Sequence, residues 1–140
     1  MSAPILISIS PGELIDRMTI LKIKADRITD EASRQNANAE LEALSRIQRD
    51  AMQDSDELRR LWAELKSANE ALWMINDDIR DCEARKDFGA KFIELARGIS
   101  VTNDERAILK EKIDALAGVA ALAEEKFYVE RNLSVASKTP

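Results

Sequence analysis

An apolar pattern between Leu58 and Cys82 constrains the fold of this chain more than any other feature. Apolar residues recur there in alternating steps of three and four, at Leu58, Leu61, Leu65, Ala68, Leu72, Ile75, Ile79 and Cys82. That spacing forms one seam along a helix. Cap residues before the seam and Phe88-Gly89 after it predict a helix of about 32 residues, about 48 Å long. A compact domain of this size is only about 37 Å across, so we expect an elongated bundle.

The composition favours a single helical domain. Hydrophobic residues make up 45% of the 140 residues and charged residues 34%, with only four Gly and three Pro. This mixture is typical of a helical globule rather than a β-sandwich or a disordered chain. We expect one domain over residues 1–131 and a disordered tail over 132–140.

Charge and cysteine content narrow the class of protein further. The net charge of −5 argues against nucleic-acid binding. No apolar run approaches the roughly 20 residues of a membrane span, so no membrane association is predicted. The first basic residue is Arg17, so a signal peptide is not indicated, and a single cysteine fits a reducing compartment. We expect a cytoplasmic protein.

The sequence contains no histidine. This excludes Ser-His-Asp and Cys-His catalysis, zinc sites with histidine ligands and Glu-x-x-His di-iron bundles. A metal ion would need carboxylate ligands, and Asp77, Asp78 and Asp81, within about one helical turn, are an alternative site for Mg²⁺. Short acidic clusters are expected by chance among 26 acidic residues, so no metal and no cofactor is predicted.

The N-terminal part of the chain predicts a strand followed by a helix. Ile5–Ile9 is β-branched and bounded by proline and serine, and its partner would be either Phe127–Val129 or the same strand of a second subunit. Ser10–Glu13 is a capping box with proline at the first helical position. The helix that follows carries apolar residues on two faces, which indicates a central position in the bundle or a subunit interface.

The remaining segments predict further helices. We expect a loop or a frayed helix end over Asp30–Asn38 and then a weaker helix that ends near Gln53. After the long helix, one amphipathic helix covers Phe92–Ile99, and a second capping box at Thr102–Glu105 predicts a new helix that ends near Gly118. Residues 120–129 add a short helical stretch. The predicted fold is all-α, an elongated bundle of four or five helices with one long central helix and a short N-terminal β-strand.

Two sets of polar residues are candidates for binding. One set lies beside the apolar seam of the long helix and either holds a planar or sugar ligand or fixes the register of a helix–helix contact. It comprises Trp62, Asn69, Trp73 and Asn76. The other set converges if the helices bundle, and it comprises Arg17, Lys24, Arg80, Arg97, Asn103, Arg106 and Lys110.

The converging set has two interpretations. It forms an anion site, assisted by the helix N-terminus predicted at Asn103–Arg106. Otherwise its cations form ion pairs within the bundle. The acidic partners available for such pairs are Asp16, Asp77, Asp78, Glu105 and Glu125.

Several motifs together resemble a bacterial family of unknown function, over most of residues 6–128. The matching stretches are Ser10–Lys24, Leu72–Arg80, Phe92–Arg97, Thr102–Ala107 and Glu124–Lys126. The resemblance implies a small cytoplasmic protein linked, in some members, to surface-polysaccharide synthesis beside glycosyltransferases. It implies these motif positions: Asp16, Arg17, Trp73, Asp78, Arg80, Arg97, Asn103, Asp104, Arg106 and Lys110. The chain departs from the pattern at Asn76 and Ser100, where the family has an acidic and an aromatic residue.

Three functional hypotheses follow. The first is a non-catalytic helical interaction protein, a homodimer that binds a protein partner or an anionic small molecule as an accessory to surface-polysaccharide biosynthesis. The second is a small helical enzyme on an anionic metabolite, similar to Mg²⁺-dependent pyrophosphatases or to the helical chorismate mutase. The third is a purely structural dimeric bundle.

Overall fold

A computed structural model describes residues 3–118 of the chain, and the regular secondary structure of this part is entirely helical. The helices are α1 (Pro11–Arg27), α2 (Glu31–Ala51), α3 (Asp56–Ala84) and α4 (Ala90–Leu116). They form a bundle in which α1 packs against each of the other three helices and α3 packs along α4. The predicted all-α bundle is therefore confirmed for this part. The predicted stretch at 120–129, the segment Phe127–Val129 and the tail 132–140 lie outside the described residues.

α1 begins where the capping box predicts. The Ser10 hydroxyl accepts a hydrogen bond from the Glu13 backbone N–H at 3.2 Å, and Pro11 takes the first helical position. Residues on several sides of the helix are buried, among them Leu14, Met18 and Ile23. The central position in the bundle therefore belongs to α1 rather than to the longest helix, α3.

α2 begins at Glu31 and is helical throughout the rest of this stretch, so the predicted loop or frayed end over Asp30–Asn38 is wrong. Asp30 is the N-cap, and its carboxylate accepts a hydrogen bond from the Ser33 backbone N–H at 2.9 Å. That bond, with a second one from the Ser33 side chain, lowers the pKa of Asp30. Glu31 pairs with Arg34 one turn later, which supports the polar first turn. The apolar side of α2 is narrow, with Ala37 buried against α1.

α3 is the predicted long helix, with 29 residues instead of about 32. The Ser55 hydroxyl caps it by accepting a hydrogen bond from the Leu58 backbone N–H at 3.0 Å. The predicted seam is buried from Leu58 to Ala68 and again at Cys82. Between these points its residues are only half-buried, because α1 ends beside Met74, where Arg27 Nη1 lies 3.5 Å from the Met74 sulfur.

α4 is one continuous helix, so the predicted helix start at Thr102 is wrong. Thr102 is buried inside the helix and caps nothing. A capping residue needs non-helical backbone angles, and the segment before Thr102 contains no proline and only one glycine, Gly98, which α4 accommodates. The turn between α3 and α4 contains Lys86 at a φ of 56° and ends with Asp87, whose carboxylate accepts from the Gly89 N–H at 3.1 Å.

Residues 3–9 form no strand, and the predicted N-terminal β-strand is wrong. We call this segment the N-terminal arm. A strand needs a partner for its backbone groups, and the described part of the chain supplies none. The side chains of the arm lie in solvent, with Ile5 90%, Leu6 91% and Ile7 77% exposed.

The core lies where α1, α3 and α4 meet. Ile15, Leu65 and Ile113 are fully buried there, one from each helix. No helix in residues 3–118 is both long and apolar enough to cross a membrane. The same region of contact between α1, α3 and α4 also contains the buried polar residues, which define the candidate site.

Candidate functional site

The buried polar residues are organised by Asp16 of α1, which is 5% exposed. Its Oδ1 accepts from Asn69 Nδ2 at 2.8 Å, and its Oδ2 accepts from Arg106 Nη2 at 2.6 Å. Arg106 Nε lies a further 3.3 Å from Oδ1. One carboxylate therefore joins α1 to both α3 and α4.

Thr19 completes this group, which we call the Asp16 cluster (Asp16, Thr19, Asn69 and Arg106). The Thr19 hydroxyl donates to the Asp16 backbone carbonyl at 2.7 Å and accepts from Asn69 Nδ2 at 2.8 Å. Within residues 3–118, every fully buried side-chain nitrogen or oxygen has a hydrogen-bond partner. The cluster has the character of a satisfied structural network.

A second set of contacts joins α1 to α4 at the start of α1. Lys110 Nζ lies 2.6 Å from Glu13 Oε1, and the Gly12 N–H donates to Asp114 Oδ1 at 2.7 Å. The helices approach so closely that a Cβ on Gly12 would lie 2.4 Å from the Lys110 carbonyl oxygen. Position 12 therefore requires glycine, because any side chain would clash with the backbone of α4.

Two of the predicted cations, Arg106 and Lys110, point from α4 towards α1. Both meet a carboxylate there, and their side chains are only 20% and 14% exposed. Arg106 forms an ion pair with Asp16, and the charged groups of Arg80 and Asp77, both on α3, lie 3.6 Å apart.

Two other predicted residues, Arg17 and Lys24, line a groove between α1 and α2. The groove has a volume of about 390 Å³ and an apolar part formed by Ile9, Ile20 and Leu21. Arg17 Nη2 lies 2.5 Å from Glu40 Oε1 across it, and both side chains are largely exposed. Glu13 and Asp16 also border the groove, so its charge is mixed.

The remaining members of the cation set lie away from the Asp16 cluster. Arg80 is eleven residues beyond Asn69, about 16 Å along α3, and its side chain is 81% exposed. Arg97 is nine residues before Arg106, about 14 Å along α4, and is exposed. Asn103 lies inside α4 and accepts from Arg106 Nη1 at 2.8 Å, so the predicted helix N-terminus for an anion is wrong.

The polar flank of α3 does not form one surface either. Asn69 is buried in the Asp16 cluster, where it fixes the position of α3 against α1. Trp62 is half-buried against the core, Trp73 is half-buried, and Asn76 is exposed. Of the two interpretations of this flank, a ligand site or a helix–helix contact whose register is fixed by polar residues, the second fits Asn69.

The acidic triplet of α3 does not gather around a common point. Asp77 pairs with Arg80, and Asp81 pairs with Arg85 at 3.0 Å. In the described ranges of the chain, no three acidic or cysteine side chains are grouped so as to hold a metal ion. Asp78 is exposed.

Sequence reasoning expected Asp16 as an ion-pair partner but missed Thr19, Asp114 and Gly12. Each of these residues is buried in its helix. A polar residue or a glycine at a position where the helical repeat requires an apolar residue was the sequence signal that could have identified them.

Comparisons with protein families, curated proteins and solved structures found no match. The family resemblance described above therefore stays a prediction.

Proposed function

We propose that this chain is a non-catalytic helical interaction protein that works as a homodimer joined through its N-terminal arm. The observation that supports this most directly is the exposure of the arm. Ile5, Leu6 and Ile7 are each more than three-quarters exposed, and Ile9 is 44% exposed. Adjacent apolar side chains of this size are typical of an interaction site.

The polar groups of the bundle support a structural interpretation of the interior. Arg106, Lys110 and Asn69, which a ligand site would use, already bind Asp16, Glu13 and Thr19. Among the described residues, the side chains that a partner could contact are therefore mainly the apolar ones of the arm and the charged ones on the helix surfaces.

The arm is large enough to contribute to association. The three isoleucine side chains of the arm together expose about as much surface as two free ones. Burial of one such side chain stabilises by about 1.5–3 kcal/mol, so two arms provide about 6–12 kcal/mol. Association costs about 4–15 kcal/mol in lost freedom of motion, so the two terms are of similar size.

The side chains of the arm indicate how two copies would associate. Residues 5–9 form no backbone hydrogen bond with the rest of the described chain. Ile5, Ile7 and Ile9 alternate with Leu6 and Ser8, which gives an extended segment one face made only of isoleucine. Contact between the isoleucine faces of two copies about a twofold axis buries these side chains in both copies.

The cellular process named in this proposal is taken from the family resemblance. By that resemblance the dimer is an accessory to surface-polysaccharide biosynthesis and binds a protein of that process. The arm would then bind either a second copy of the chain or the partner protein. We propose a second copy, because the isoleucine face is self-complementary.

The test is the association state of the full chain. We expect wild type to be a dimer by sedimentation equilibrium and Ile5→Asp/Ile7→Asp to be a monomer with unchanged helix content. Ile47→Asp is the matched control, because Ile47 is 55% exposed on α2, away from the arm. A monomeric wild type at every soluble concentration overturns the proposal, and so does a dimer that survives the double substitution.

A second candidate function is anion binding in the groove between α1 and α2. Its support is Lys24, which makes no ion pair within residues 3–118 and borders the groove beside Arg17. The groove volume falls in the range of small-molecule sites. Inorganic phosphate and a nucleoside-diphosphate sugar are the probes, and we expect either to raise the melting temperature of wild type but not of Lys24→Ala.

Lys22→Ala is the control for this second candidate, since Lys22 lies on the same helix and pairs with Asp26 at 3.2 Å. It should retain the wild-type response. No response of wild type to either probe, or an equal response of both lysine variants, rejects the anion site.

A further inference from the structure

The exposed large apolar residues of α4 lie on one side of the helix. They are each 40–49% exposed, and they are Ile93, Val101, Ile108 and Leu116. Steps of eight, seven and eight residues separate them, so they share a side of the helix, whereas Arg106 and Lys110, which meet α1, lie on the other. A helix that is apolar on two sides is typical of one with neighbours on both. Within residues 3–118, α4 packs only against α1 and α3.

Two adjoining cavities border part of this side of α4. Their volumes are about 560 and about 590 Å³, they share Glu64, and among the described residues only α3 and α4 line them. We call the two cavities together the open groove. Its α3 wall includes small residues at helical spacing, Ala63, Ser67 and Ala71, which allow another backbone to approach closely. The lining residues of α4 lie within Glu105–Leu116, about 17 Å or three helical turns.

The groove that α1 occupies shows how a helix binds to α3 and α4. α4 borders that groove with two cations, Arg106 and Lys110, and α1 presents the carboxylates of Asp16 and Glu13 to them. Buried apolar side chains of α1, Ile15 among them, complete the contact. A helix in the open groove needs the same two features, an apolar side and charges that match those of the groove.

The open groove is acidic at one end. Glu64 of α3 and Glu105 of α4 are the two charged residues that line the cavity of about 560 Å³, and neither makes an ion pair within residues 3–118. The second cavity adds Glu57, Arg60 and Lys112, so the charge is mixed at the end of the groove near the C-terminus of α4. A cation placed between Glu64 and Glu105 would gain two partners, whereas a carboxylate would be repelled.

We propose that the open groove binds an amphipathic helix of a partner protein, and that this helix carries Lys or Arg at the level of Glu64 and Glu105. The inference rests on the proposed function as an interaction protein, and it names the kind of partner segment that the protein binds. Apolar residues of that helix cover Ile108 and Leu116, and its backbone lies against the small residues of α3. A partner helix is favoured over α1 of a second copy, because the side of α1 that faces this hairpin is acidic.

The test is the binding of designed peptides to the full chain. The probe is a fluorescently labelled helix of about 14 residues with leucine along one side and lysine beside it, and a second peptide has glutamate in place of lysine. We expect the lysine peptide to bind wild type at least about tenfold more tightly than the glutamate peptide in fluorescence anisotropy. Because the net charge of −5 attracts any basic peptide, variants are needed to locate the site.

Charge reversal in the groove provides the decisive comparison. In Glu64→Lys/Glu105→Lys the preference should invert, so that the glutamate peptide binds more tightly. Asp78→Lys/Glu83→Lys makes the same change of net charge at exposed positions of α3 outside the groove, and it should lower the affinity for the lysine peptide less than about threefold. Ile108→Asp should weaken binding of the lysine peptide about tenfold or more, since it puts a charge on the apolar wall.

Three outcomes overturn the proposal. The lysine peptide does not saturate wild type below about 1 mM, or the two charge-reversal variants respond alike, or Ile108→Asp converts a dimer to a monomer in sedimentation, which assigns the groove to a second copy. Ile5→Asp/Ile7→Asp should bind the lysine peptide as wild type does, because the arm lies outside the groove. Peptide binding tests the groove and sedimentation of the arm variant tests the dimer, so the failure of one proposal is distinguishable from the failure of the other.

Discussion

The ion pair between Asp16 and Arg106 offers the sharpest test of how this bundle is held together. Replacement of either residue by alanine leaves a buried polar partner without its bond. Loss of one member of a buried ion pair costs about 3–5 kcal/mol. Arg106 is 20% exposed and retains access to water, so we expect the lower end, about 3 kcal/mol, for Asp16→Ala.

Arg106→Ala should cost a similar amount for a different reason. The Asp16 carboxylate then keeps only the Asn69 bond at 2.8 Å while its Oδ2 loses the 2.6 Å contact. In the double variant neither charge remains buried alone, so the total should fall about 2 kcal/mol short of the sum of the two single effects. Arg80→Ala is the control, because that arginine is 81% exposed and should cost less than about 0.5 kcal/mol.

Urea unfolding followed by circular dichroism measures all four variants under one set of conditions. Additive effects of the two alanine substitutions, within about 0.5 kcal/mol, would refute the view that the pair is coupled. A cost for Arg80→Ala equal to that for Arg106→Ala would refute the distinction between buried and exposed cations.

The other predictions concern the backbone and the caps. Gly12→Ala should lower the free energy of unfolding by about 2 kcal/mol or more, because its Cβ would lie 2.4 Å from a backbone oxygen of α4. Gly98→Ala should be neutral or stabilising by up to about 1 kcal/mol, because its Cβ meets only a side-chain methyl at 3.3 Å and alanine favours the helix; urea unfolding compares the two. Lys86→Gly should stabilise by about 0.5–1 kcal/mol in the same assay, because Lys86 has a φ of 56°. The lowered pKa of Asp30 means that its cap contributes fully above the unfolded-state pKa and is lost as pH falls through the folded-state value, so Asp30→Asn should flatten the acid side of the melting-temperature profile.

The helix starts at Ser10 and Ser55 could be predicted because they depend on local chemistry. In each case a serine hydroxyl accepts from the N–H three residues later, and an apolar repeat follows immediately. The same logic failed at Thr102, since the chain before it is already helical and leaves no free N–H to cap. It also failed at Asp30, whose helix begins with a polar turn that contains little apolar periodicity.

The candidate site could be predicted only in part. Cations of α4 were expected to point inward, and Arg106 and Lys110 do so, whereas Arg97 is exposed. The carboxylates that meet them are Asp16 and Glu13 of α1. Each pair is separated by 90 or more residues in the chain, so the choice of partner depends on how closely α1 approaches α4 and could not be predicted from local sequence.

The central position of α1 has a consequence for the order in which the protein folds. α1 with α2, and α3 with α4, are neighbours in the chain, so each pair closes through short connections. The bonds from Gly12 to Asp114 and from Asp16 to Arg106 span 102 and 90 residues and join the two pairs. During synthesis the face of α1 that meets α4 therefore stays uncovered until the last turns of α4 leave the ribosome, and in this interval that face is open to aggregation and proteolysis.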